Sequence, residues 1–429
     1  MKRIFKSPIA SLLAFLSRRI LSKYRPKIIM ITGSVGKTST KDAVAAALSG
    51  QGSVRASEKS YNSEFGVPLT IIGVENPWTN PVAWIAVFVR AIELILFPSS
   101  YPETLVLEVG ADRPGDLARI LKIATPDAVV VTRLPEVPVH VEAYATPQAV
   151  REEEFAPAYA LPSGAPLILA ALDTHARTMA KNTEAKVTLF GFSDEADIRV
   201  EEPTVVYDNG IPVGMQAVAT VNGKHYTLKA AHALGRPQIL APAAALATAY
   251  ALSIPLSEAL TSLDTYVPPA ARGRLLAGKN GSVLIDESYN ASPAAVQEAL
   301  RALALLTSKS RRIAVIGDML ELGRYSKEEH ARIGAAAAEY ADMLIAVGSR
   351  SAAMCAPASE RGMTEDAIKC FETSNEAAEY LLTIVGEGDA VMVKGSQSMR
   401  MERIVEALLA NPADTDKLVR QDRQWKRKK

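Results

Sequence analysis

The sequence predicts an α/β protein with two successive sheets, and three observations predict it. Short apolar runs at 27–32, 104–110, 128–133, 166–170 and 186–192 alternate with helix-like segments. Residues 196–232 break that rhythm with shorter strands and the turn signals Asp208-Asn209-Gly210 and Asn222-Gly223. Beyond Pro268-Pro269 the alternation restarts, with runs at 282–286, 311–317, 343–348 and 390–395. Continuous apolar runs between helices indicate parallel strands covered on both faces, and Asn-Gly pairs indicate antiparallel hairpins. The expected architecture is a central, mostly parallel sheet with a small antiparallel insertion, followed by a smaller Rossmann-like C-terminal unit. No internal repeat interrupts this order.

Four segments follow: a basic amphipathic helix at 1–26, a central unit at 27–268, a C-terminal unit at 269–412 and a basic tail at 413–429. In the first, Phe5, Ile9, Leu12, Leu13, Leu16 and Ile20 fall on one helical face, with Ser7, Ser11, Arg18 and Ser22 opposite. Its apolar run is short, arginines follow directly and no small-x-small cleavage pattern precedes them, so it reads neither as a leader peptide nor as a membrane span. Two placements suit it: on an anionic membrane surface, or packed on the next unit or a partner with its basic face solvated. The apolar stretch at 84–97 contains Arg90 and Glu93 and reads as a buried or surface helix. An alanine-rich helix is expected at 241–252, and the tail, past the last recognisable motif, is expected to be disordered.

The chain has 429 residues and a formal net charge of +1, a total that conceals an uneven distribution. Residues 1–27 hold eight basic side chains and no acidic one, and residues 417–429 hold seven basic and one acidic. The body at 28–416 is therefore at 1 − 8 − 6 = −13. An acidic body argues against a nucleic-acid groove. Two cysteines, Cys355 and Cys370, provide neither a disulfide framework nor a cysteine zinc site, and they suit a reducing, cytoplasmic compartment.

The most specific local motif is ITGSVGKTST at 31–40, an apolar strand leading through Gly33-Ser34-Val35-Gly36-Lys37-Thr38-Ser39 into a helix. Glycines let backbone amides converge on phosphate oxygens, and the helix N-terminus adds positive potential. In this shortened phosphate loop Lys37 is suited to the β- and γ-phosphates and the Thr38 hydroxyl to magnesium. Glu108 ends an apolar strand, where a carboxylate is costly unless paired or metal-bound, and His140 follows another strand end. Ligands collect at the carboxyl ends of strands in such sheets, so Thr38, Glu108 and His140 are candidates for one magnesium-phosphate site.

Taken with that loop, the segments YNSEFGVPLT (61–70), LEVGADRPGDL (107–117), GRLL (273–276), IDESYNASP (285–293), GDMLELG (317–323), HARIG (330–334) and GDAVMVKGSQSMRME (388–402) resemble the Mur ligases over residues 28–410, in order. The likeness is greatest to the branch that adds D-alanyl-D-alanine to a muramoyl tripeptide. The resemblance implies a cytoplasmic, ATP- and magnesium-dependent amide ligase of cell-wall precursor synthesis, acting as a monomer through an acyl phosphate. It also implies residue roles. Lys37, Glu108, His140, Arg274 and Lys394 would be catalytic. Gly33, Ser34, Gly36, Lys37, Thr38, Ser39, Gln238, Arg274 and Asp286 would hold ATP. Thr38, Glu108, His140 and Glu154 would hold Mg2+, and Asn62, Glu64, Ser288, Tyr289 and Asn290 would face the substrate.

Four departures from the family pattern stand out. The chain reaches its phosphate loop at Gly33, without room for the family's usual N-terminal uridine-nucleotide domain. Glu154 falls where the family usually carries a carbamylated lysine, and would supply a permanent carboxylate. Gly235-Arg236-Pro237-Gln238 and Ala241 replace an adenine-side segment and a later Asn, while Ser292 replaces an Asn of the DSYNANP-like segment. Three activities are compatible with these features: the dipeptide-adding ligase, a related ligase acting on another and lipid-linked carboxylate, and a degenerate nucleotide-binding scaffold.

Overall fold

The computed structural model describes residues 3–57, 61–78, 80–307, 310–422 and 425, the side chains of 3–7 lying outside the description. The first sheet contains β1 (Lys27–Thr32), β2 (Val54–Ala56), β3 (Thr104–Glu108), β4 (Ala128–Val131), β5 (Pro166–Ala170) and β6 (Lys186–Gly191). It continues through β7 (Ile198–Val200), β8 (Thr204–Asp208), β9 (Ile211–Val221) and β10 (Lys224–Ala231). Its order is β10-β9-β7-β6-β5-β4-β1-β3-β2, with β8 paired to β9. Strands β1 to β6 run parallel, and β9 meets β7, β8 and β10 antiparallel. The antiparallel segment therefore extends the parallel sheet. Asn209-Gly210 and Asn222-Gly223 sit at positive φ at its hairpin turns, a conformation Asn and Gly adopt at least cost.

The second sheet comprises β11 (Arg274–Ala277), β12 (Val283–Glu287), β13 (Arg312–Gly317), β14 (Met343–Val347), β15 (Ile368–Phe371) and β16 (Ala390–Lys394). Their order is β11-β12-β16-β13-β14-β15, parallel except at the β11 edge. Strands β2, β11 and β15 lack a strong sequence signal, being three or four residues long at or near sheet edges. The alanine-rich helix begins at Arg236, five residues earlier than expected, because Pro237 suits the first turn of a helix.

The N-terminal helix, Arg3–Tyr24, packs on the helices Pro81–Leu96 and Gly66–Ile72. Leu13, Leu16 and Ile20 are buried as expected, but Leu12 faces outward and Ser17 is buried in its place. Of its proposed faces, the Phe5 and Ser7 side chains lie outside the described residues. The helix thus packs on the following unit through its Leu13, Leu16 and Ile20 face, with Arg18, Arg19 and Lys23 exposed. The C-terminal tail departs from expectation. Leu418 and Arg420 are buried, and residues 418–422 return to the junction between the sheets; residues 423, 424 and 426–429 lie outside the described set.

Asp389, fully buried just ahead of β16, accepts hydrogen bonds from Arg311 N (3.0 Å), Nε (3.2 Å) and Nη2 (2.7 Å) and from Gly386 N (2.9 Å). These bonds outweigh burial and hold its carboxyl below the usual range. The cluster aligns the starts of β13 and β16, and β16 carries Lys394 into the cleft. Asp389→Ala strands two backbone amides and a guanidinium. We expect it to cost about 3 kcal/mol in denaturant unfolding at pH 7.

Candidate active site

The carboxyl ends of β1, β3 and β4 lie side by side, with Ile31 opposite Glu108 and Thr32 opposite Val131. From β1 the chain turns through Gly33 and Gly36, both at positive φ, into the helix Lys37–Leu48. A side chain at Gly33 would approach Thr132 Oγ1 to 2.5 Å, so glycine is required where the loop crosses β4. The loop opens into a cavity of ≈ 960 Å³ between the two sheets, lined by Ser34, Gly36, Lys37, Thr38 and Ser39 on one side and Glu287, Tyr289, Asn290 and Lys394 on the other.

Lys37 is the hub of this cleft. Its Nζ donates to Gly33 O at 2.5 Å, and its field reaches Glu108, Glu154 and His140. Glu108 is buried and hydrogen-bonded to Thr38, while its Oε2 has no partner. Burial pushes its carboxyl upward, opposed by Lys37, Lys41 and Arg272. Glu154 lies on the helix Pro147–Tyr159, accepts a hydrogen bond from Ser34 Oγ and is also pushed upward by burial, against Lys37. Asn62 meets the same point from the 61–66 turn: its carbonyl accepts Gly110 N at 3.1 Å, and a side chain on Gly110 would touch Asn62 Nδ2 and Lys37 Cε.

Several groups cross from the other sheet. Arg272 Nη2 donates to Thr38 Oγ1 at 3.3 Å, and its guanidinium stacks 4.1 Å over the Tyr289 ring. Lys394 Nζ pairs with Glu287 Oε2 at 2.8 Å, an adjacent register position on β16 and β12. His140, at positive φ, faces carboxylates with both ring nitrogens: Nδ1 to Glu321 Oε2 at 2.7 Å and Nε2 to Asp112 Oδ1 at 3.5 Å. Burial opposes the imidazolium, but the Glu321 bond and the two carboxylates raise its pKa, and the same bond lowers that of Glu321.

The structure separates some expected residues from the cleft. Arg274 stands opposite Asp286 in the β11–β12 register and lies outside the lining, which Arg272 occupies instead. Asp286 and Ser288 are 0 % exposed beneath the cleft floor; burial raises the Asp286 carboxyl to about 6, and Glu287 is the neighbour facing the cavity. Glu64 points outward to Arg119 at 3.9 Å. Gln238 does line the cavity, with Oε1 buried and unpartnered. Among the described residues no three His, Cys, Asp or Glu side chains converge on a single metal position.

Sequence reasoning missed Arg272, two residues ahead of Arg274, and Glu321, which lies inside the recognised GDMLELG segment. It also missed the tail's contribution. Arg420, buried, donates to Ser288 O (3.1 Å), Tyr289 O and Glu402 Oε2 (2.9 Å), so residues 419–422 form one wall of the cleft.

Two family models match the chain: the Mur ligase middle domain over residues 31–249 and the Mur ligase glutamate ligase domain over 271–397. The chain belongs to the Mur ligase family and is a ligase. Within that family it is 24% identical over 405 residues to UDP-N-acetylmuramoyl-tripeptide–D-alanyl-D-alanine ligase of Bacillus subtilis, covering 92% of this chain and 79% of that one. The enzyme of the same name from Mycobacterium bovis is 28% identical over 90% of this chain and 73% of its own length. The crystal structure of MurF ligase from Thermotoga maritima in complex with ADP superposes with a TM-score of 0.75 at 26% identity, covering 93% of this chain and 83% of that one.

The His140–Glu321 ion pair joins the two sheets across the cleft. The pair needs a charged imidazole and an ionised carboxylate, so its contribution is present between the lowered Glu321 value and the raised His140 value and fades as pH rises through the latter. Glu321→Gln should remove that dependence: with the pair gone, melting temperatures of variant and wild type should differ at pH 6 and converge by pH 9.

Proposed function

We propose that this chain is an ATP-dependent ligase of peptidoglycan precursor synthesis that joins D-alanyl-D-alanine to the terminal carboxylate of a muramoyl tripeptide. The observation that carries this reading is one cleft in which a phosphate loop, two buried carboxylates and cations from both sheets face each other. The relatives' names supply the substrates. In the first half-reaction the γ-phosphoryl group of ATP passes to the substrate carboxylate, giving an acyl phosphate and ADP. In the second the amine displaces phosphate, giving the amide, inorganic phosphate and a proton.

The residues divide this work. The amides of Gly33, Ser34 and Gly36 with Lys37 hold the phosphates, and Ser39 supports the loop. Thr38 and Glu108 suit magnesium, a hard cation that prefers oxygen donors and keeps several waters; the unpartnered Glu108 Oε2 beside Thr38 fits it. Glu154 supplies a second carboxylate next to Ser34. Bound magnesium would neutralise charge on the transferring phosphoryl group. Arg272 and Lys394 add positive charge from the C-terminal side, and His140 positions the two units against each other. Gln238 offers an unsatisfied amide oxygen to a base, and Asn62, Tyr289 and Asn290 line the substrate side. One chain completes the cleft, which supports a monomer, and dependence on ATP supports a cytoplasmic reaction. The units meet in the segment containing Pro268-Pro269.

Phosphate release tests the reading. With UDP-muramoyl tripeptide and D-alanyl-D-alanine, release should require both substrates and magnesium; release from ATP that ignores both would contradict it. Glu154→Gln should lower magnesium-dependent turnover at least tenfold, and an unchanged rate would remove Glu154 from the site.

A further inference from the structure

The helix Pro81–Leu96 carries apolar residues on every side, the pattern of a helix enclosed all round. Asn80 caps its start, accepting from Val82 N and Ala83 N, and Trp84, Val87, Ala91 and Leu94 pack inward. Its outer face is nevertheless open. Val82 is 73% exposed, Ile85 63% and Leu96 67%, with Val89 and Ile92 between them. These positions recur at three- and four-residue steps, forming a stripe about 21 Å long. Phe97 extends it at one end, and the adjoining N-terminal helix also exposes Leu12 and Phe15. Patches of this extent mark binding surfaces.

We propose that this face docks on an anionic lipid bilayer. Charge selects that occupant. The adjoining helix belongs to a 27-residue segment with eight basic and no acidic side chains, and Arg18, Arg19 and Lys23 are exposed on it. Arg19 lies over the exposed Phe15 ring at 5.3 Å, joining cation and apolar surface. Lys23 donates to Leu94 O, Ile95 O and Phe97 O, tying the basic helix to the end of the apolar one. The carboxylate beside the stripe, Glu93, is paired with Arg90 at 3.3 Å. A two-fold contact with a second copy would set the two basic helices near each other, which like charges disfavour, whereas anionic headgroups attract them. No described helix is long and apolar enough to cross a membrane, so the contact is interfacial. Trp78 is half exposed beside this face and also lines the cleft, so docking sets the cleft mouth at the bilayer surface.

The test is flotation of the full chain with phosphatidylcholine vesicles and with vesicles containing one-quarter phosphatidylglycerol. The chain should float with the anionic vesicles, less so in 0.5 M salt, and a double variant Ile85→Glu/Val89→Glu should bind at least tenfold more weakly. An unchanged melting temperature establishes that the variant is folded, and unchanged phosphate release in free solution separates this inference from the ligase reading. No flotation, equal binding to both vesicle types, or equal binding by the variant would overturn the proposal. So would a lipid-free dimer in sedimentation equilibrium that the double variant dissociates.

Discussion

Two carboxylates buried beside one lysine set the terms for the rest of this molecule. Glu108 and Glu154 both lie out of water within the field of Lys37, and burial pushes both toward the protonated form. Removing a carboxylate from water is costly unless positive charge or hydrogen bonds compensate. Lys37 compensates in part, Thr38 and Ser34 contribute hydrogen bonds, and the remaining unsatisfied oxygen of Glu108 is a place for a cation. A site arranged in this way is preorganised for a ligand that brings metal and phosphate together.

The second sheet exists on the other side of that charge balance. It contributes Arg272 to Thr38, the Glu287–Lys394 pair to the cleft and Glu321 to His140. The Arg272–Thr38 and His140–Glu321 contacts cannot form within one unit. The sheets therefore share a site, and their separation would expose it. The tail lines the same cleft from the C-terminal unit: Arg420 tolerates burial because Glu402 and two backbone carbonyls surround it.

Much of this was legible in the residues because its causes are local. The phosphate loop depends on glycines at fixed spacing, and Glu108 was conspicuous as a carboxylate ending an apolar strand. The hairpins at Asn209 and Asn222 follow from turn chemistry. What escaped has tertiary causes. Gly273, at φ +73°, turns the chain between Arg272 and Arg274, so two arginines two positions apart serve different places. Arg420 belongs to a basic run that reads as solvated, and only Glu402, brought near by the fold, makes it a buried residue. Leu12 points outward because the N-terminal helix is seated by its neighbours; its own periodicity assigned that residue to the inner face.

Proton release on nucleotide binding tests this account most directly. A cation bound among Glu108, Glu154 and Thr38 must favour the ionised carboxylates, so binding of magnesium and a non-hydrolysable ATP analogue should expel protons. Titration calorimetry in buffers of different ionisation enthalpy measures that number. The account predicts net release that grows as pH is lowered from 8 and diminishes in Glu108→Gln. Binding with no buffer dependence, or with the same release in the variant, would contradict it.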